Sequence, residues 1–63
     1  MDNKYSKMRK ARFNLGLNQY ELANKTGIWQ STISLIETGH LKPSEKQAGL
    51  IAGVLGRSVE DLF

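Results

Sequence analysis

The chain has 63 residues, of which 40% are hydrophobic and 24% are charged, with one proline and no cysteine. This length supports one small hydrophobic core, so we expect a single domain over residues 1–63. The lack of cysteine excludes a disulfide framework and thiolate zinc sites. The first residues lack the apolar segment of a signal peptide, and no apolar run approaches the roughly 20 residues that span a bilayer. We therefore expect a cytoplasmic protein without a membrane partner.

The positive charge of the chain is concentrated at its start. The formal net charge is +3, from nine Lys and Arg and six Asp and Glu. Five of the basic residues fall within the first twelve positions: Lys4, Lys7, Arg9, Lys10 and Arg12. Such a segment favours a polyanionic partner through phosphate contacts and counterion release. A solvated helix face that is basic for solubility explains the same pattern equally well.

The first element is predicted from apolar and basic residues at helical spacing. Tyr5, Met8, Arg12 and Leu15 recur every three or four positions, which predicts a helix from about Asp2 to Leu15. The glycine that follows ends it. An arginine on this inward stripe requires a partner, because one unpaired buried charge is strongly destabilising.

The second element begins with a helix-capping pattern. Asn18 is followed three residues later by Glu21, which predicts a capping box and a helix that runs through Lys25 to a stop at Gly27.

A third helix is predicted a few residues later, from about Gln30 to Glu37. Ile33 and Ile36 can face the core at i, i+3 spacing, and Gly39 is the expected C-cap.

Two further helices are predicted in the last third of the chain. Ser44 and Gln47 form a second capping-box pattern for a helix that ends at Leu55, before a glycine. Its inward residues are Ala48, Ile51, Ala52 and Leu55. Ser58 then caps a terminal turn that carries Val59, Leu62 and Phe63. Because no stretch alternates with strand period, the expected fold class is all-α with five helices.

The second and third helices carry a recognisable motif. Two short helices joined by a glycine-containing turn, here Gly27, with a small residue, Ala23, where the helices cross, are typical of a helix-turn-helix over about residues 18–38. The matching segments are Gly16 to Ala23, Thr26 to Ile28, Gln30 to Ser34, Glu37 to Gly39, and Pro43-Ser44 on to Phe63. They resemble the Cro/CI-type (XRE-like) family of phage-repressor-like regulators along nearly the whole chain from Lys4. The resemblance implies a lambda-repressor-like domain that binds double-stranded DNA as a transcriptional regulator, in particular as a repressor.

In that family the first residues of the third helix contact base edges in the major groove. The resemblance gives this role to Gln30, whose amide can bond adenine bidentately, and to Ser31, which discriminates weakly. Ser34 is a further base-contact candidate. The alternative is that these are solvated polar residues in a helix.

Trp29 and Leu35 depart from the usual family pattern. Trp29 stands where a Ser or Thr N-cap is common; its indole either contacts a thymine methyl or the sugar-phosphate backbone, or folds over Ile28 and Tyr20. Leu35 lies on the expected DNA face, where it meets a thymine methyl or extends the edge of the core.

The resemblance implies contacts to the DNA backbone for Asn18, Gln19 and Thr38, and the basic residues of the first helix and of the loop after the third helix are further candidates. The candidates are Gln19, Asn18, Thr38, His40, Lys42, Arg12, Lys4, Lys7 and Lys10. Gln19 also resembles the family glutamine that holds the recognition glutamine, and Asn18 serves equally as an N-cap. Arg12 and Glu37 match a family pair that joins the first and third helices.

The remaining expectations concern partners and chemistry. No catalytic constellation is present, so we expect no enzyme, and a lone histidine provides no metal site or other cofactor site. With the sequence ending at Phe63, we expect no ligand-sensing domain and no small-molecule ligand. A homodimer on an inverted repeat is expected, with a dimer face that contains Leu50, Val54, Leu62 and Phe63. The competing hypothesis is a protein-interaction module with an apolar patch of Trp29, Leu35 and Tyr20.

Overall fold

A computed structural model describes the backbone of residues 4–63 and the side chains of residues 7–63. The predicted helix start at Asp2 and the side chains of Lys4 and Tyr5 lie outside this part. Within residues 4–63 the chain forms helices and no strand, which confirms the all-α expectation. The helices are α1 (Lys4–Asn14), α2 (Gln19–Thr26), α3 (Gln30–Glu37), α4 (Glu45–Leu55) and α5 (Val59–Leu62).

The two predicted capping boxes are present and set the starts of α2 and α4. Asn18 Oδ1 accepts from the Glu21 amide at 2.8 Å, and Glu21 Oε1 accepts from the Asn18 amide at 2.9 Å. Ser44 and Gln47 form the equivalent pair at the start of α4. Each box satisfies two amide donors that a helix start would otherwise leave without partners.

The end of α3 differs slightly from the prediction. The C-cap is Thr38, and Gly39 follows it with a φ of 82°. The amides of Gly39 and His40 donate to the carbonyls of Ile36 (3.2 Å) and Leu35 (2.9 Å). These two bonds form a Schellman motif, in which the left-handed glycine stands one position beyond the cap.

The core lies where the five helices meet. Its fully buried members are Met8, Leu22, Ile33, Ile36, Ile51 and Leu62. The predicted inward residues of α3 and α4 are all buried, which confirms the helical spacing used for them.

The predicted inward stripe of α1 is wrong at its end. Leu15 is 53% exposed, whereas Ala11, which the prediction omitted, is buried. Because α1 ends at Asn14, Leu15 no longer follows the helical period of Met8 and Arg12. The amide of Leu17 then donates to the Arg12 carbonyl at 3.1 Å, which returns the chain toward α2.

The proposed dimer face also needs a correction. Leu62 is 1% exposed and belongs to the core, so it is not available to a partner. Leu50 is exposed, while Val54 and Phe63 are partly buried against the core. Val54 instead shares a surface depression with Leu15 and Leu17.

Residues 4–63 contain neither a membrane-spanning helix nor a cluster of metal-binding side chains. None of these helices is long and apolar enough to cross a membrane. Across the same part of the chain, no three His, Asp or Glu side chains come together as a metal site would require.

Candidate nucleic-acid interface

The turn between α2 and α3 is held by a threonine and a glycine. The buried Thr26 hydroxyl donates to the Leu22 carbonyl at 2.9 Å and accepts from the Ile28 amide at 3.3 Å. Gly27 has a φ of 74°, and its amide donates to the Ala23 carbonyl at 2.8 Å. Ala23 itself is buried. These contacts fix the position of α3 relative to α2.

α3 has one buried face and one open face. Ile33 and Ile36 are fully buried on the inner side. Ser31 and Leu35 are exposed, and Ser34 is partly buried. Leu35 therefore does not extend the core, since 45% of it is exposed. The open face presents short polar groups and one apolar side chain on a helix whose orientation is fixed.

Gln30, the first residue of α3, has its side chain held in place by a hydrogen bond. It is partly buried, and its Nε2 donates to Gln19 Oε1 at 2.8 Å. Gln19, the first residue of α2, in turn donates from its Nε2 to Glu37 Oε1 at 3.0 Å. The structure thus brings together Gln19 and Gln30, which the resemblance associates. It adds Glu37 to the same hydrogen-bonded group.

The Arg12–Glu37 pair joins α1 to the last residue of α3. Arg12 Nε contacts Glu37 Oε2 at 2.6 Å, and Arg12 Nη2 contacts Glu37 Oε1 at 3.1 Å, so the pair is bidentate. Arg12 Nη1 donates to the Leu17 carbonyl at 2.9 Å. The two side chains are 5% and 3% exposed. Such complete pairing is what a buried ion pair requires.

Burial excludes the phosphate contact predicted for Arg12. Its guanidinium is enclosed by Glu37, the Leu17 carbonyl and the ring of Phe13, whose centroid lies 4.7 Å from the guanidinium carbon. A phosphate could reach it only after α1 and α3 moved apart. Arg12 therefore has a structural position and no access to a ligand.

Trp29 is the most exposed of the large hydrophobic side chains among the described residues, with 82% of its surface accessible. It occupies the N-cap of α3 without a side-chain capping bond. The predicted alternative, in which the indole folds over Ile28 and Tyr20, is wrong, because an indole packed in that way would be largely covered. Tyr20 is itself 68% exposed, and the two aromatic residues border one open groove.

The predicted phosphate contacts lie at the ends of the helix-turn-helix. Asn18, Thr38, His40 and Lys42 are all exposed. The Asn18 side-chain oxygen is used in the capping box, so its NH₂ group is the part available for a ligand. Thr38 Oγ1 lies 2.8 Å from His40 Nδ1, which connects the two side chains after α3.

Lys7 and Lys10 of α1 point to a different side from Arg12. Lys7 and Lys10 border a depression with Arg57 and Asp61, next to α5. Residues two positions apart on a helix are about 200° apart around its axis. Lys10 therefore faces away from the side on which Arg12 meets α3.

Two contributors to the site were not predicted. The Thr26 hydroxyl supports the turn, and a threonine before a turn glycine was the only signal for it. The Gln19–Glu37 hydrogen bond joins residues 18 positions apart. Helical periodicity gives no indication of a contact at that separation.

Two helices held by a fixed glycine turn, with the second helix open on one face, define a helix-turn-helix domain. The chain matches the family described as Helix-turn-helix (HTH_3) over residues 8–62 and belongs to that family.

Relatives in archaea match most of the chain. An uncharacterized HTH-type transcriptional regulator of Archaeoglobus fulgidus is 40% identical over 58 residues, covering 92% of this chain and 83% of that protein. One from Methanothermobacter thermautotrophicus is 44% identical over 57 residues, covering 89% and 83%. A third, from Methanocaldococcus jannaschii, is 45% identical over 47 residues, covering 75% and 71%. No solved structure gives a significant match.

Proposed function

We propose that this protein is a transcriptional regulator that binds double-stranded DNA, with α3 in the major groove. The observation that carries the proposal is Gln30, held by Gln19 at the start of a helix whose outer face is not packed into the protein. Membership in the helix-turn-helix family and relatives described as transcriptional regulators support the same function.

Base recognition belongs to the open face of α3. Gln30 forms a bidentate contact with adenine, which is worth about 1–3 kcal/mol of discrimination against other bases. Ser31 and Ser34 supply weaker polar contacts. Leu35 and Trp29 are the apolar members: Leu35 meets a thymine methyl, and Trp29 meets a thymine methyl or the neighbouring sugar-phosphate backbone.

Backbone contacts fix the register of the domain on DNA without reading the sequence. The start of α2 supplies Asn18 and Gln19, whose NH₂ groups and the helix dipole favour a phosphate. Thr38, His40 and Lys42 contact the backbone beyond the other end of α3. Lys10 adds a long-range electrostatic attraction.

The regulator acts as a repressor, and it binds an inverted repeat as a homodimer with half-sites about one helical turn, ~34 Å, apart. Leu50, Val54 and Phe63 remain the candidate dimer residues. The depression that Val54 lines together with Leu15, Leu17 and Lys25 extends that face. A monomer of constant mass at high concentration, both free and on a selected duplex, would refute the dimer.

A second candidate function is the binding of another protein. The exposed pair of Tyr20 and Trp29 borders a groove, and Leu35 is also exposed, so a protein-interaction module is the competing proposal. The two functions respond differently to salt. DNA affinity falls steeply as salt rises because counterions are released, whereas an apolar interface hardly responds.

The test is selection of bound sequences from a random duplex pool with the wild type and with Gln30→Ala. The wild type should enrich a short symmetric site. The variant should lose the preference for adenine at one position of each half-site while keeping the others. Enrichment of no common sequence by the wild type would refute the proposal, and identical sites for both proteins would refute the role of Gln30. Ser58→Ala, at the cap of α5, is the matched control.

A further inference from the structure

The side chains of Glu37, Gln19 and Gln30 form one hydrogen-bonded row, which we call the polar row. It starts at a carboxylate with 3% side-chain exposure and ends at the partly buried amide on the open face of α3. The two links are Gln19 Nε2 to Glu37 Oε1 at 3.0 Å and Gln30 Nε2 to Gln19 Oε1 at 2.8 Å. The row connects the buried ion pair to the proposed reading position.

The chemistry of Glu37 sets the direction of every bond in the polar row. As the ion-pair partner of Arg12, Glu37 has acceptor oxygens and no donor. Gln19 must therefore turn its NH₂ group toward Glu37, which turns its oxygen toward Gln30. Gln30 must then turn its NH₂ group toward Gln19. Neither amide is free to rotate by 180° without facing oxygen against oxygen.

A reversed amide is disfavoured in this row. Reversal loses a hydrogen bond, whose net contribution lowers the population of the reversed state by roughly 2- to 12-fold. An isolated glutamine has no such preference, because its oxygen and nitrogen ends are nearly equal in shape. The row thus gives Gln30 one polarity before any ligand is present.

The fixed polarity determines which base edge fits. With one Nε2 hydrogen used by Gln19, Gln30 keeps its Oε1 and its second Nε2 hydrogen, an acceptor beside a donor. Adenine presents an N6 donor beside an N7 acceptor in the major groove, so the two edges are complementary in one order only. Reversal of the amide would place donor against donor and acceptor against acceptor.

We infer that Glu37 is a positioning residue for sequence specificity: it fixes the polarity of the Gln30 amide through Gln19 and so selects the base pair that Gln30 reads. This inference rests on the proposed function, because it names what determines specificity at the same site. In the orientation that bonds Glu37, Gln19 keeps its second Nε2 hydrogen available for a phosphate.

The first test uses the free protein and needs no DNA. Hydrogen exchange of side-chain NH₂ groups is measured by NMR, with Gln47 as internal control, because its oxygen is used in a capping box while its NH₂ group is not. The NH₂ groups of Gln19 and Gln30 should exchange several-fold more slowly than that of Gln47. Exchange of Gln30 as fast as that of Gln47 would overturn the inference.

The second test measures binding to the selected site and to the same site with each other base pair at the position where Gln30→Ala loses its preference. The wild type should prefer one pair by roughly 5- to 150-fold. Gln19→Leu keeps the ion pair but removes the row, so the preference at this position should fall to a few-fold while preferences elsewhere stay. Glu37→Gln keeps the shape of residue 37. Folded Glu37→Gln protein, checked by circular dichroism, should show the same reduced preference.

Two controls separate the possible failures. Lys42→Gln removes a proposed phosphate contact outside the row, so it should weaken binding to all four duplexes and retain the preference among them. Glu60→Gln makes the same chemical change as Glu37→Gln at an exposed position and should change nothing. A wild type without any base preference would refute the proposed function. A wild-type preference that Gln19→Leu leaves unchanged would refute the inference that the polar row fixes the Gln30 amide.

Discussion

Removing the Glu37 carboxylate should nearly unfold this domain. Glu37 accepts three hydrogen bonds, two from Arg12 and one from Gln19. In Glu37→Ala, Arg12, which is 4% exposed in the wild type, would keep only the Leu17 carbonyl as its acceptor. Removing one partner of a buried ion pair destabilises a protein by about 3–5 kcal/mol. A domain of this length has a free energy of unfolding of roughly 3–9 kcal/mol, so the loss takes most of it.

The assay is urea unfolding followed by far-ultraviolet circular dichroism. Trp29 fluorescence is a poor probe, because the indole is already 82% exposed in the folded state. The matched control is the double variant Arg12→Met with Glu37→Leu, which removes both charges and should recover most of the stability, since apolar replacements of buried ion pairs are often neutral or stabilising. A loss below about 1 kcal/mol in Glu37→Ala would show that Arg12 is not left as an uncompensated buried charge. A double variant as unstable as the single one would show that the uncompensated charge is not the cause.

Gly49 and Gly53 lie in α4 with no atom within 4 Å of an added Cβ, so Gly→Ala at each should raise the free energy of unfolding by about 0.5–1 kcal/mol, and a lower Tm for both variants would contradict this. Trp29→Ser should supply the missing N-cap of α3 and add about 1 kcal/mol, because the exposed indole contributes little packing; an unchanged or lower Tm would argue against it. The logarithm of DNA affinity should fall against that of salt concentration with a slope of about −0.9 per phosphate neutralised, and a slope near zero would favour the protein-interaction alternative.

Local sequence signals predicted most of the fold because its boundaries are set by short-range chemistry. The caps Asn18, Ser44 and Ser58 each act within three residues, and the bounds of α3 were predicted as observed. Leu15 failed because a helical period loses meaning once the helix ends. Leu62 failed because the direction in which a four-residue helix faces depends on its contacts with α1 and α4.

The candidate site was predictable in composition but only partly in geometry. The resemblance associated Gln19 with Gln30 and Arg12 with Glu37, yet it did not join the two pairs into one structure. That junction depends on how α1, α2 and α3 pack, which is a tertiary property. The same packing encloses Arg12 and removes it from the surface, against its predicted phosphate contact.

Binding to DNA with modified bases would show whether the amide of Gln30 bonds an adenine edge in the major groove. Each adenine of the selected site is replaced in turn by 7-deazaadenine, which lacks the N7 acceptor, and binding is measured for the wild type and Gln30→Ala. At one adenine per half-site the wild type should lose roughly 5- to 150-fold in affinity while the variant loses almost nothing. Equal losses for both proteins at every adenine would show that Gln30 does not bond adenine N7.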